Sequence, residues 1–259
     1  MAQRIVSLAP SITETLYALG AGDEVVGVTS WCDWPSEAKG KPKVGGFIGI
    51  DARKVLDLKP DLVLASSSGL ADQGAKLAAI RDAGVEVHAD RPRDLAGVLE
   101  HFLRVGILVG RPKETSALIE RTRAAFEGIM DQVPAEPRPR VYYEEWGDPL
   151  MSVSEGIWIH DMIEAAGGAN VFAGAGAEEP LVGADEVVAK DPEVIVVGWC
   201  GALGRKPTIE DVVARPGWST TSAARAGRVH VVDDTFFTRP GPRLPEGLAQ
   251  LAGLLHPKG

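Results

Sequence analysis

The stretch "SWCDWP" (30–35) sets two indoles, a thiol and a carboxylate side by side, directly after "EVVGVT" (24–29), an apolar run that reads as a buried strand. A second tryptophan–cysteine pair, Trp199–Cys200, follows another such run, "EVIVVG" (193–198). Rings of this size at strand ends suit the wall of a small-molecule site, in which a few polar groups orient a partly apolar ligand. Each ring covered by a ligand contributes roughly 1.5–3 kcal/mol through area removed from water. Trp146 and Phe236 stand in similar loops, as do the polar residues Asp33, Ser66, Ser67, Glu145 and Arg239. Glu144 and Glu145 suit either hydrogen-bond acceptors for a ligand or a solvated strand edge. Arg239 and Arg243 suit either ligand contacts or pairing with Asp233 and Asp234 of the same loop.

Catalysis finds little support. The chain has no G-x-S-x-G elbow, P-loop, H-E-x-x-H or complete G-x-G-x-x-G; "GAGAEE" (174–179) lacks the third glycine. The five histidines (His88, His101, His160, His230, His256) do not cluster in the sequence, so no metal site is expected. Cys32 and Cys200 read as small, soft wall or core residues, since a soft metal would require further ligands.

Positioning these loops requires regular elements. Strands are expected at 4–8, 24–30, 61–66 and 85–89, alternating with helices at 11–20, 51–60, 70–84 and 93–110. The first helix is expected to open on Ser11 as N-cap, with Glu14 completing a capping box, and to stop at Gly20. Residues 111–133 predict one long amphipathic helix with the stripe Leu118, Ile119, Thr122, Phe126 and Ile129. The proline-rich 134–140 reads as a boundary. Alternation resumes with 140–146, 157–168, 184–192, 193–200, 228–234 and 244–256. Alternating strands and helices predict parallel sheets covered on both faces. The expected organisation is an N-terminal α/β lobe (1–110), a linking helix (111–134) and a C-terminal α/β lobe (135–259). "DLKPDLVLAS" (57–66) and "AKDPEVIVVG" (189–198) repeat one design across the two lobes. Ligands of open parallel sheets bind outside the carboxyl ends of the strands, which is where the loops above fall.

With 27 Lys and Arg against 36 Asp and Glu, the net charge of −9 argues against nucleic acid or an anionic membrane surface as partner. The longest apolar runs are too short to cross a bilayer. "MAQRIVSLAPS" shows no basic segment followed by a long apolar stretch, so the expectation is either a cytoplasmic chain or a mature form with an added start. Two cysteines leave the compartment open.

"RIVSLAPSITETLYALG", "VVGVTSWCDWP", "LKPDLVLA", "AGGANVF" (166–172), "RPGW" (215–218) and the closing "RVHVVDDTFFTRPGPRLPEGLAQLAGLLHP" resemble the periplasmic-binding-protein family of siderophore, haem and cobalamin ABC importers. "CDWP" and "RPGPR" are closer to its cobalamin-binding branch. The resemblance implies the class III fold: two α/β lobes bridged by one long helix, with a cleft that is largely preformed. It implies a non-enzymatic, monomeric, extracytoplasmic protein that carries a corrinoid as transported ligand, has no cofactor of its own and partners an ABC permease. It points to Trp31 or Trp34, to Phe47 in "GGFIGI" (45–50) and to Phe236 as cleft aromatics. Trp146 and Trp199 complete the expected macrocycle contacts, and Asp33, Ser66, Ser67, Glu145 and Arg239 would meet the amide rim. The chain departs from the branch at Ser66, where a bulky aromatic stands in the cobalamin importer's protein. Permease docking through one acidic residue per lobe falls on Asp185 or Glu186 in the second lobe. In the first lobe it falls on Arg53, two residues after Asp51. The alternatives are a siderophore or haem ligand, and a cytosolic corrinoid-handling protein or enzyme on the same fold. Anionic siderophores favour a basic cleft, whereas these loops carry as many acids as bases.

Overall fold

The computed structural model describes residues 2–46, 49–67, 71–201 and 206–257. The chain divides into two compact units, Met1–Pro92 with Ala96–Arg123, and Arg93–Leu95 with Ala124–Gly259.

The first unit is an open sheet of β1 (Ile5–Ser7), β2 (Val25–Val28), β3 (Leu62–Ser66) and β4 (Glu86–Asp90), in the order β2-β1-β3-β4 with every pair parallel. Its helices are α1 (Pro10–Ala18), α2 (Ala52–Asp57), α3 (Ala71–Asp82), α4 (Leu95–Val109) and the first part of α5 (Pro112–Met130). Val6, Leu8, Val55, Val63, Leu77 and Ile80 form much of one core cluster. The start of α1 differs from expectation. Ala9, not Ser11, is the N-cap, and it makes no side-chain bond. Pro10 takes the first helical turn, where its fixed φ and missing N–H carry no penalty. Ser11 and Glu14 are both buried within the helix, so there is no capping box. α2 is properly capped: the Asp51 carboxylate accepts from the N–H groups of Arg53 and Lys54 at 3.0 and 3.2 Å. Gly110, at φ +66°, closes α4, and Pro112 opens α5. Of the expected α5 stripe, Leu118, Thr122 and Phe126 are buried and Ile119 and Ile129 are half-buried. Residues of α5 belong to both units.

The second unit repeats the plan with β5 (Arg140–Glu144), β8 (Ala169–Asn170), β9 (Val194–Val197) and β10 (Val229–Val231), ordered β10-β9-β5-β8 and again parallel throughout. A two-residue-a-side antiparallel hairpin, β6 (Trp146–Gly147) and β7 (Leu150–Met151), follows β5. α6 (Trp158–Ala165), α7 (Ala184–Lys190), α8 (Ile209–Val213), α9 (Ser222–Arg225) and α10 (Leu244–Leu255) accompany the sheet. Tyr142, Phe172, Ile195, Val197 and Trp218 are among the residues of its core. Among the described residues no helix is long and apolar enough to cross a membrane.

Candidate binding site at the strand ends

In the first unit, β2 ends in a tight turn. The Cys32 N–H donates to the Thr29 carbonyl at 3.1 Å, and the Thr29 hydroxyl lies 3.2 Å from the Cys32 sulfur. The turn buries Cys32 and pushes its thiol pKa up by burial. It leaves Trp31 half-buried, Asp33 exposed and Trp34 51% exposed. Lys43 Nζ braces the turn by donating to the carbonyls of Cys32 (3.3 Å) and Ala38 (3.2 Å). Ser66 closes β3 opposite Asp90, and the Ser67 N–H donates to the Asp90 carbonyl at 3.1 Å. Phe47 lies outside the described residues.

A polar group that sequence reading passed over stands at the end of β4. Asp90 Oδ2 accepts from His101 Nδ1 at 3.0 Å and from Arg104 Nε at 2.8 Å. The His101 bond, with help from Arg104, holds the Asp90 carboxyl down at about 2. His101 is buried, and it brings α4 back onto β4.

In the second unit, the ends of β5 and β9 run side by side. The Gly198 N–H donates to the Glu144 carbonyl and the Cys200 N–H to the Glu145 carbonyl, both at 3.0 Å. This continued ladder sets "EEW" beside "GWC". The indoles of Trp146 and Trp199 meet with centroids 5.8 Å apart and planes inclined by 41°. Trp146 is 37% exposed and its Nε1 donates to the Asp148 carbonyl at 2.8 Å; Trp199 is half-buried. The solvated-edge reading of Glu144 is wrong. Glu144 is fully buried, accepting from Arg215, Tyr142 and Trp199 Nε1, because a carboxylate without water must be fully paired. Glu145 is buried as well. Cys200 is exposed as a residue, yet its thiol is pushed up to about 12, first by the protein crowding the sulfur and then by the Glu145 carboxylate.

After β10, Phe236 is half-buried, with the Arg243 guanidinium 4.9 Å above its ring, while Phe237 is fully buried. Arg239 is half-buried in the same loop. Asp233 and Asp234 engage Lys206 at 3.8 and 3.4 Å, and Asp234 also accepts from the Gly201 N–H. Asp185 and Glu186 are exposed in the first turn of α7, and Arg53 is exposed on α2. Trp158 and Trp218 are core residues. Two grooves of ≈ 420 and ≈ 690 Å³ flank Ile209, and neither is lined by the strand-end aromatics. Among the described residues no three His, Cys, Asp or Glu side chains gather as a metal site would require.

Parallel sheets that carry aromatic and polar loops at the carboxyl ends of their strands, one sheet in each unit, are the architecture of a class III solute-binding protein. The chain belongs to the periplasmic binding protein family, whose sequence model matches residues 5–235. Among its relatives is an uncharacterised ABC transporter substrate-binding lipoprotein, YvrC, of Bacillus subtilis, 32% identical over 98% of this chain and 80% of that protein. The vitamin B12-binding protein of Vibrio cholerae is 26% identical over 98% of this chain and 89% of its own. The periplasmic heme-binding protein RhuT of Roseiflexus sp. RS-1 superposes with a TM-score of 0.87 at 29% identity, covering 98% of both chains.

Proposed function

We propose that this protein is the substrate-binding component of an ABC importer and that its ligand is a corrinoid. The observation that carries the reading is the display of indole rings at the carboxyl edges of both parallel sheets: Trp31 and Trp34 after β2, Trp146 after β5 and Trp199 after β9. Large flat faces at strand ends serve a large flat ligand better than a small polar one. Phe47 and Phe236 would add to the contact with the macrocycle. Asp33, Ser66, Ser67, Glu145 and Arg239 would serve its amide rim. The binding role requires no catalytic group.

The choice between corrinoid and haem turns on the metal. A haem iron takes a His, Tyr, Met or Cys ligand from the protein. The segments 30–34, 66–69, 90–94, 144–149, 198–203 and 233–243 contain no His, Tyr or Met. Their two cysteines are Cys32, which is buried, and Cys200, whose thiol at about 12 is poorly disposed to become a thiolate. A corrinoid whose axial positions are already filled makes no such demand. The likeness to RhuT keeps haem as the second reading.

The permease would dock on Asp185 and Glu186 of α7, with the basic Arg53 on α2 as the corresponding point of the first unit. An extracytoplasmic, monomeric protein fits this role. Calorimetric titration with cyanocobalamin, alongside tryptophan fluorescence, tests the ligand, with hemin as the second arm. Saturable binding of cyanocobalamin at micromolar concentration is expected, with hemin weaker. Tight hemin binding with none for cyanocobalamin would reverse the choice, and no response to either would remove both.

A further inference from the structure

The run "RPGW" (215–218) follows α8 and lies outside every strand-end loop, yet its arginine reaches the base of one. Gly217, at φ +80°, turns the chain so that Trp218 comes back beneath Arg215, whose guanidinium carbon lies 4.5 Å from the ring centre. Trp218 is itself fixed edge-on against Tyr142, with centroids 5.6 Å apart. With one face on this ring, the guanidinium donates from Nη1 to Glu144 Oε2 (2.5 Å) and from Nη2 to Oε1 (2.9 Å). Burial lowers the arginine's pKa, but its bonds to Glu144 more than offset that, leaving it raised and the side chain charged. A two-pronged pair of this kind permits one orientation of the carboxylate.

That orientation matters because Glu144 holds two further donors. The Tyr142 hydroxyl donates to Oε2 at 3.1 Å and Trp199 Nε1 to Oε1 at 2.8 Å. Of the four bonds, the one from Trp199 leads out to a strand-end loop. Oε1 is therefore the point where the Arg215 fork and the Trp199 indole meet. An indole held at Nε1, with the adjoining Cε2–Cζ2–Cη2 edge close against Gly147, has little freedom to rotate. It stays tilted at 41° to Trp146.

We propose that Arg215 is a positioning residue: acting through the buried Glu144 carboxylate, it fixes the Trp199 indole beside Trp146 and so sets how firmly this unit grips a flat macrocycle. The grip rests on the ligand reading above; the fixing of the indole does not. Lysine at 215 would keep the charge but lose the fork, because an ammonium is a point donor and cannot hold both oxygens in one plane. The carboxylate could then turn, and Trp199 would lose its fixed acceptor.

The test compares Arg215→Lys, Trp199→Phe, their double variant and Trp146→Phe. Without ligand, two indoles this close couple in circular dichroism. Trp146→Phe and Trp199→Phe should abolish that signal, and Arg215→Lys should weaken it although every tryptophan remains. With cyanocobalamin, Arg215→Lys should bind about tenfold more weakly. In the Trp199→Phe background the same change should cost less than about twofold, because its route to the ligand is gone. An unaltered indole signal in Arg215→Lys, or an equal affinity loss in both backgrounds, would overturn the proposal. Should Arg215→Lys fold poorly, the pair Glu144→Gln with Arg215→Leu removes both charges together and should show the same spectral loss; retention of the signal there refutes the proposal too. If the wild type binds neither cyanocobalamin nor hemin, the ligand reading fails and the ligand-free spectra alone decide the role of Arg215.

Discussion

Gly147 and Trp199 compete for one space: a Cβ on Gly147 would fall 2.0 Å from Trp199 Cζ2, 2.6 Å from Cε2 and 2.7 Å from Cη2. An aromatic ring cannot bend away, and this one is tethered through Nε1 to Glu144. Either the β6–β7 hairpin shifts or the indole leaves its bond. Gly147→Ala is therefore expected to lower stability by about 1–3 kcal/mol, the usual cost of overpacking. It should also weaken binding of the macrocycle. Urea denaturation and calorimetric titration measure the two effects. An alanine accepted without loss of either would mean that the hairpin yields easily and that the indole pair is not rigidly built.

The Asp90 carboxyl, held at about 2, links stability to pH. Its folded pKa lies below that of an unfolded aspartate, about 3.9. The stabilisation is therefore fully present above about pH 4 and disappears as the pH falls through about 2. Its size is limited by water, since the Asp90 side chain is 31% exposed and that of Arg104 46%. Asp90→Asn should cost about 1 kcal/mol at neutral pH after screening. The gap between variant and wild type should close as the pH is lowered from about 4 towards 2. Urea midpoints across that range follow it. A gap that stays constant with pH would show that His101 and Arg104 hold the loop by shape and not by charge.

Much of the architecture could be read ahead because it is written in local pattern. Runs such as "LVLA" (62–65) and "VIVV" (194–197) are apolar throughout, as strands covered on both faces must be, and the α5 stripe repeats with the helical period. The β6–β7 hairpin escaped because two residues a side are too few to show any period. Glu144 escaped for another reason. A glutamate following "VYY" reads as the point where a strand meets water, and the arginine that allows its burial lies 71 residues further on. Asp90, His101 and Arg104 likewise come together only when α4 folds back onto β4. The strand-end indoles were legible by position, but whether a given tryptophan is wall or core depends on its neighbours. Trp218 and Trp158 are core, and Trp34 and Trp146 meet solvent.

Cys200 is reachable by solvent, yet its thiol at about 12 should remain protonated. At pH 8 only about one molecule in ten thousand would carry the thiolate, against about a quarter for a free cysteine. Cys32 is buried and its thiol is also raised. Thiol reagents should therefore label the native protein at least tenfold more slowly than the urea-unfolded chain, at both cysteines. Rapid native labelling of Cys200 at neutral pH would contradict the crowding of its sulfur, and would return it to consideration as a thiolate ligand for haem iron.

Exposed and buried tryptophans should separate cleanly when each is cut back to alanine. Trp34 is 51% exposed, and Trp218 is fully enclosed by the core around Tyr142 and Arg215. Removing a half-exposed ring opens no enclosed cavity, so Trp34→Ala should cost no more than about 1 kcal/mol of stability. If Trp34 covers the ligand, the same change should remove roughly 1.5–3 kcal/mol of binding, the value of one ring taken out of water. Trp218→Ala should do the reverse, costing about 3–5 kcal/mol of stability through the cavity it opens. Denaturation midpoints and cyanocobalamin titrations of the two variants give both columns of the comparison. A Trp34→Ala protein that binds like the wild type would take the "SWCDWP" loop out of the site, and the macrocycle would then have to be held by the other strand-end aromatics.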